Sequence, residues 1–178
     1  MSRRIIRTPT LLALLAALLC AGAVASAQDE SEPYTKESEH FSVELPSGRW
    51  KAVTRPDGAH HHTEFVYGDR SDGYLRIRRE VVEAGTKLAD VARRDEDVKL
   101  RFIPGFVGGK QNTFTGRLNG IVTTYEYTQA GKNMSGRVYY LQADNRTVYA
   151  LHFTGLRDRL QYIQNQTDAI ARSFKTKQ

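Results

Sequence analysis

Cysteine is almost absent from this 178-residue sequence, and the only one, Cys20, lies inside an apolar N-terminal run. Three arginines precede that run, which spans residues 11–24, and residues 25–27 (ASA) supply the small-x-small pattern of a cleavage site. We therefore expect residues 1–27 to be a signal peptide. The mature chain is then periplasmic or secreted, and it lacks thiols, disulfides and iron–sulfur clusters.

Long apolar runs are also lacking. The run at residues 11–24 is too short to cross about 30 Å of hydrocarbon as a stable helix, so no transmembrane segment is expected after signal removal. Leu19 before Cys20 disfavours lipidation, and Arg7 disfavours a twin-arginine signal.

An excess of charge of one sign is missing as well. Without residues 1–27 the chain has 23 basic and 20 acidic side chains, a net charge of +3, with no block of like charges. Nucleic acid is therefore not an expected partner. Residues 28–38 are polar and acidic and contain a proline, which predicts a flexible acidic spacer before a single domain at residues 39–175.

Local catalytic motifs are not found either. The sequence has no nucleophile elbow, and its paired glycines at 108–109 lack the following Lys-Ser/Thr of a phosphate-binding loop. We expect a non-enzymatic protein.

Alternating apolar residues predict strands in the first half, at residues 41–45, 49–54, 62–67 and 74–82. On the last of these, Arg76, Arg78 and Glu80 share one face, which we interpret as solvated. The spacing of apolar residues then becomes helical, which predicts a helix with Thr86 as its N-cap. Its apolar side would be formed by Leu88, Val91, Ala92, Val98 and Phe102. Glycines at 105, 108 and 109 predict a mobile connection after this helix.

The second half is more regular, with strands predicted at 113–118, 120–128, 136–143 and 147–154. Residues 147–154 are apolar on both faces, so this strand should lie centrally with layers above and below it. A closing helix follows, with one apolar stripe formed by Leu160, Ile163, Thr167, Ile170 and Phe174. The fold class is α+β, an antiparallel sheet of about six to seven strands sandwiched by helices.

The segments HFSVELPSGRW, GIVTTYEYT, RVYYLQADNRTVYALHFTG and IARSF, in this order around a single mid-chain helix, resemble the PsbP-like family. That family includes the extrinsic photosystem subunit PsbP and bacterial envelope proteins of the DcrB type. The resemblance covers residues 39–174 and implies an α/β/α sandwich that acts as a binding or assembly module. It carries over no catalytic residues.

The segment HHHTE at residues 60–64 is the most unusual local pattern, because it places three histidines in a row before a threonine and a glutamate. In an extended segment His60, His62 and Glu64 project from one face, and two imidazoles with a carboxylate can bind zinc or a similar divalent metal. The alternative is a solvated polar loop after the turn at 56–58.

Two other polar features have a structural and a functional interpretation. His152 interrupts the apolar pattern of the central strand, and we interpret it as a packed, hydrogen-bonded core residue rather than a catalyst. Arg76, Arg78, Arg93 and Arg94 could form an anion or membrane-surface patch, but ion pairs with Glu80, Asp90 and Asp97 are the favoured interpretation.

Three functional hypotheses follow. The first is an exported, non-enzymatic binding module that presents sheet-edge and loop surfaces, chiefly residues 105–112 and 60–62, to an envelope protein partner. The second is a metal-binding protein using His60, His62 and Glu64. The third is a small hydrolase or apolar-ligand binder with a pocket between sheet and helix.

Overall fold

A seven-stranded antiparallel sheet forms the centre of the computed structural model, which describes residues 32–35, 40–53 and 62–177. The strands in chain order are β1 (Glu32–Thr35), β2 (Phe41–Leu45), β3 (Trp50–Val53), β4 (His62–Tyr67), β5 (Gly73–Val81), β6 (Val107–Phe114), β7 (Gly120–Gln129), β8 (Lys132–Gln142), β9 (Thr147–Leu156) and β10 (Lys175–Thr176). The helices are α1 (Leu88–Asp95), continued by a π-helical turn (Glu96–Leu100), α2 (Arg157–Tyr162) and α3 (Gln164–Ser173).

The strand order of the large sheet is β3-β4-β5-β9-β8-β7-β6, so β9 is the middle strand. This confirms the position predicted from its two apolar faces. Val148 and Ala150 pack toward α1, whereas Tyr149, Leu151 and Phe153 pack toward α2 and α3. The α+β sandwich predicted from the sequence is therefore the observed architecture.

A second, three-stranded sheet in the order β1-β2-β10 lies on the α3 side. The sequence predicted a flexible spacer over residues 28–38, but Glu32–Thr35 is a strand paired in register with β2. The backbone pairing with β2 orders this segment despite its polar composition. The predicted signal peptide, 1–27, lies outside the described residues.

The large sheet has two faces, which we name by the helix that covers each. The α3 face carries the larger core, including Phe65, Leu75, Leu151 and Phe153, all fully buried beneath α2, α3 and β2. The α1 face carries a smaller core that includes the buried residues Val138, Tyr140, Val148 and Ala150. The apolar stripe predicted for the closing helix is confirmed, because Leu160, Ile163, Thr167, Ile170 and Phe174 are all buried.

The first helix differs from the prediction after its second turn. Val98 and Phe102 are exposed, and Leu100 is buried instead. The Arg101 N–H donates to the Glu96 carbonyl at 2.9 Å, the five-residue spacing of a π turn. This extra residue per turn rotates the chain after Asp95, so Leu100 rather than Val98 faces the sheet. Thr86 does not cap the helix; its hydroxyl donates to the Glu83 carbonyl.

Candidate functional site

Strand β6 is one edge of the large sheet, and among the described residues it pairs only with β7. All of its side chains are exposed except that of Phe114. The sequence predicted a mobile connection over residues 105–112 and a strand at 113–118, but residues 107–112 belong to β6. The pairing register shifts between Gly108 and Gln111, which marks a β-bulge.

One of the glycines that suggested a loop, Gly109, is instead required by close packing within this edge. A Cβ atom at Gly109 would lie 2.4 Å from the Thr124 hydroxyl oxygen of β7. Glycine in a strand often marks such a close backbone approach. The predicted contact element is thus an ordered sheet edge rather than a loop.

A cleft of about 270 Å³ borders this edge, between β6–β8 and the helices α2 and α3. Val107 and Leu160 supply apolar walls, and Arg137, Gln161 and Gln164 supply polar groups. Arg137 is held in place, because its Nε donates to the Tyr139 hydroxyl at 2.6 Å and its Nη2 donates to Asp168 at 2.9 Å. The cleft therefore has a fixed polar wall and an open side at the sheet edge.

Large exposed apolar side chains concentrate just before and at the start of this edge. Of the five found among the described residues, three are Val98 (63% exposed), Phe102 (79%) and Val107 (61%). These three side chains lie within the ten residues that lead into β6.

The α1 face holds a charged cluster centred on Asp95, which is 5% exposed. Arg78 Nη2 lies 3.0 Å from both carboxylate oxygens of Asp95, Lys99 also pairs with it, and the Tyr140 hydroxyl donates at 3.1 Å. Burial alone would raise the pKa of Asp95, but the hydrogen bond from Lys99 and the positive charges around it hold that pKa below its usual value. Asp95 is thus a buried carboxylate that remains ionised.

The arginines considered as a surface patch are mostly paired. Arg78 and Arg94 contact Glu80, and Arg93 contacts Asp90 at 2.9 Å, in line with the ion-pair interpretation. The face of β5 that carries Arg78 and Glu80 is covered by α1 and its π turn, so the prediction of a solvated face was wrong there. The amphipathic helix packs over these charges because it brings Asp95 as a buried partner.

His152 bonds to Tyr125 across an intervening strand. The Tyr125 ring lies over Gly136 of β8, where a Cβ would come within 2.0 Å of the ring, and its hydroxyl contacts His152 Nε2 on β9. Burial, together with the positive charge of Arg76, lowers the pKa of His152 to about 3, so the imidazole is neutral. This geometry confirms the interpretation of His152 as a packed, hydrogen-bonded residue.

The predicted metal ligands are only partly described. His60 lies outside the described residues, and His62 begins β4 with a side chain that is also outside them. Glu64 is 5% exposed and accepts a hydrogen bond from Arg70 Nη2 at 3.2 Å. Glu64 also bonds to Tyr74, an interaction that, after burial, helps raise the pKa of Tyr74 to about 12. A metal ion at this carboxylate would have to share it with these two partners.

Comparison with known proteins finds no matching family model and no similar curated protein. Solved structures do match. Cyanobacterial PsbP from Synechocystis is 13% identical with a TM-score of 0.55, covering 86% of this chain and 96% of that one. LpqN, described as involved in cell envelope biogenesis of Mycobacterium tuberculosis, is 16% identical with a TM-score of 0.52, covering 85% and 88%.

A third match comes from Bacteroides thetaiotaomicron, at 11% identity and a TM-score of 0.58 over 83% of this chain. This chain spans about half of that protein, 49% of its length. Among the described residues no helix is long and apolar enough to cross a membrane. At these identities the likeness concerns the fold, and the fold of this chain is PsbP-like.

Proposed function

We propose that this chain is an exported, non-enzymatic binding module of the cell envelope, and that it presents the β6 edge to an extended segment of a protein partner. The observation that supports the proposal is the combination of an edge strand with exposed side chains and a cleft along it. A sheet edge offers a row of backbone donors and acceptors to which a peptide can add as a further strand.

The β6 edge has features that limit unspecific pairing. Lys110 and the bulge between Gly108 and Gln111 interrupt the flat edge, as natural proteins do to avoid aggregation. A partner must therefore fit a particular shape. The cleft beside Val107 and Gly108 can take one side chain of an added strand, which would supply the specificity that backbone hydrogen bonds lack.

The cleft lies between the sheet and the helices, where the apolar-ligand hypothesis would require a pocket. Its lining includes Glu126, Arg137 and Gln164, and Glu126 forms an ion pair with Arg157 at the start of α2. Charged and amide groups of this kind suit a polar peptide better than an apolar ligand or lipid chain. We therefore favour a protein partner over the apolar-ligand alternative.

The envelope location rests on the predicted signal peptide, residues 1–27, and is in keeping with the fold shared with LpqN, which takes part in envelope biogenesis. Cleavage after residue 27 would leave residues 28–31 ahead of β1 at the new N-terminus.

Site-specific photocrosslinking in the producing cells tests this proposal. A photoreactive residue at Val107 or Gln111 should give a discrete adduct with one envelope protein, whereas the same residue at Val81, which is 68% exposed on β5, should not. Val107→Glu should then suppress the adduct formed at 111, because it places a charge beside the cleft. Equal adducts at all three positions, or none at Val107 and Gln111, would refute the β6 edge as the contact surface.

A further inference from the structure

A small pocket of about 110 Å³ lies on the α1 face, between α1 with its π turn and the strands β6 and β7. It borders the same edge as the cleft on the α3 face, and Gly109 lines both recesses. Gly108 and Gly109 have no side chains, so β6 places only backbone between an added strand and the two recesses. We infer that the pocket binds the ammonium group of a lysine on the partner segment that adds to β6, an inference that rests on the proposed function.

The positions of the two recesses match the alternation of a β-strand. Successive side chains of a strand point to opposite faces of its sheet. On β6 itself Val107 lines the cleft and Gln111 lines the pocket. A partner residue that enters the cleft therefore has a neighbour in sequence whose side chain points to the pocket. With about 110 Å³, the pocket admits the end of one side chain and is well below the roughly 300–1,000 Å³ of most small-molecule sites.

Glu96 supplies the charge that selects a cation. Its Oε1 lies 3.4 Å from where a Cβ atom on Gly108 would stand, which places the carboxylate beside the β6 edge. Within the described part of the chain, no basic side chain comes within 4.0 Å of this carboxylate. The basic residues close to it in sequence are instead paired with other acids, in the pairs Arg93–Asp90, Lys99–Asp95 and Arg101–Asp97. A lysine of the partner would therefore give Glu96 an ion pair without displacing an existing one.

Aromatic rings form other walls of the pocket. Phe106, Tyr125 and Tyr140 line it, and the ring centroids of Phe106 and Tyr125 are 5.8 Å apart. The hydroxyls of the two tyrosines are bonded to His152 and Asp95, which fixes the rings. Because the face of an aromatic ring attracts cations, these walls add to the effect of Glu96.

The remaining lining favours lysine among the basic side chains. Gln111 and Thr123 offer oxygen acceptors, which suit the three N–H donors of an ammonium group. The small volume suits this compact group better than the planar guanidinium of arginine. Arg93 also lines the pocket, but it donates to Asp90 at 2.9 Å, so a neighbouring acid offsets its charge.

Titration of the purified protein with three blocked pentapeptides tests the inference. The first has the sequence threonine-valine-lysine-valine-threonine, and the other two have norleucine or arginine in place of lysine. Amide chemical shifts of Gln111 and Thr123 are the readout. We expect the lysine peptide to bind about tenfold more tightly than the norleucine peptide, the effect of one charge-assisted interaction. Arginine should bind more weakly than lysine, and equal binding of all three peptides would overturn the inference.

Variants assign the preference to the pocket. Glu96→Gln should abolish the preference for lysine and leave the norleucine peptide unaffected, at an unchanged thermal unfolding temperature. Glu83→Gln, the same substitution at an exposed acid outside the pocket, is the matched control and should keep the preference. Phe106→Leu should reduce it by about threefold, because it removes one aromatic face. A lysine preference that persists in Glu96→Gln would overturn the inference.

A free amine separates the pocket from strand addition. We expect n-butylammonium chloride, but not butan-1-ol, to shift the amides of Gln111 and Thr123 in a saturable way. That result without binding of any peptide would refute the β6 edge as a peptide site and support the pocket as an ammonium site. Peptide binding without a preference for lysine would keep the β6 edge and refute the pocket. Absence of shifts with both n-butylammonium and the lysine peptide would overturn both.

Discussion

The two faces of the large sheet are built from alternate residues of the same strands, yet different interactions stabilise them. On the α3 face the contacts are mainly apolar and aromatic, as in the fully buried set of Phe65, Leu151, Phe153 and Phe174, together with an ion pair between Arg137 and Asp168. On the α1 face the same strands carry Arg78, Glu80 and His152, which are bonded to polar partners.

This difference separates two sources of stability. Apolar burial on the α3 face does not depend on protonation states, whereas the Asp95 cluster and the Tyr125–His152 pair do. We therefore expect substitutions on the α3 face to have the largest effects, and those on the α1 face to depend on solution conditions.

The largest loss is expected for Phe153→Ala on the α3 face. Phe153 is fully buried, and its ring centroid lies 6.0 Å from Trp50 and 5.7 Å from Tyr139. The cavity left behind should lower the free energy of unfolding by about 3–5 kcal/mol in urea denaturation. Tyr162→Ala, at a residue 80% exposed, is the control and should change it by less than about 0.5 kcal/mol. A loss below about 1 kcal/mol for Phe153→Ala would mean that this core is loosely packed.

Asp95→Asn on the α1 face should lower the free energy of unfolding by about 2 kcal/mol, because it leaves Arg78 and Lys99 without their buried carboxylate. The loss is limited because Arg78 keeps some contact with solvent. The lowered pKa of Asp95 means that its contribution is present above the unfolded-state value of about 3.9 and is lost as pH falls through the folded-state pKa. The parent should therefore lose stability on acidification more steeply than the variant. Asp90→Asn, which removes an exposed acid from the same helix, should have almost no effect; equal losses for the two variants would contradict this account.

Gly136→Ala should also destabilise the α1 face, by about 1–3 kcal/mol, because its methyl group would occupy the space of the Tyr125 ring. Thermal unfolding of Gly136→Ala, Tyr125→Ala and the double variant measures the coupling between the two positions. We expect the double variant to be more stable than the sum of the single losses predicts. Simple additivity would show that the ring does not lie over this glycine.

A smaller effect is expected from the protonation of His152. Its folded-state pKa of about 3 is below the usual value of about 6.5, so the unfolded chain binds a proton that the folded one does not throughout this interval. Stability should decrease as pH falls from 7 to 5, by on the order of 1 kcal/mol from this residue. His152→Gln should flatten the decrease, and an unchanged slope in chemical denaturation would refute the assignment.

The metal-site hypothesis concerns binding rather than the stability of either face of the sheet. If His60, His62 and Glu64 bind zinc, purified protein should contain up to one zinc per chain, and His60→Ala with His62→Ala should remove it. Glu64→Gln should weaken the binding less, because Arg70 and Tyr74 already use that carboxylate. Protein free of stoichiometric metal would remove this hypothesis.

The fold could be predicted from the sequence where the pattern of one strand or helix determines its environment. The two apolar faces of β9 required a layer on each side, and the stripe from Leu160 to Phe174 required burial, so both predictions were correct. The metal ligands His60, His62 and Glu64 remain a prediction, because two of the three side chains are not described.

The remaining features depend on interactions that a local pattern does not contain. The π turn shifts burial from Val98 to Leu100, and the ion pair that buries Asp95 is formed with Arg78, on a strand distant in sequence. The glycines of β6 suggested a loop, and only the pairing with β7 shows that Gly109 permits a close approach of the two strands.

The small sheet has a consequence for how the chain folds. Strand β2 lies near the start of the domain, yet it pairs with β10 at the end of the chain, and its Glu44 N–H donates at 2.9 Å to a Ser173 hydroxyl 129 residues away. Contacts of such long sequence separation form slowly and only after both segments exist. The small sheet therefore stays incomplete until residues 175–176 are available to pair with β2, so its last strand joins late in folding.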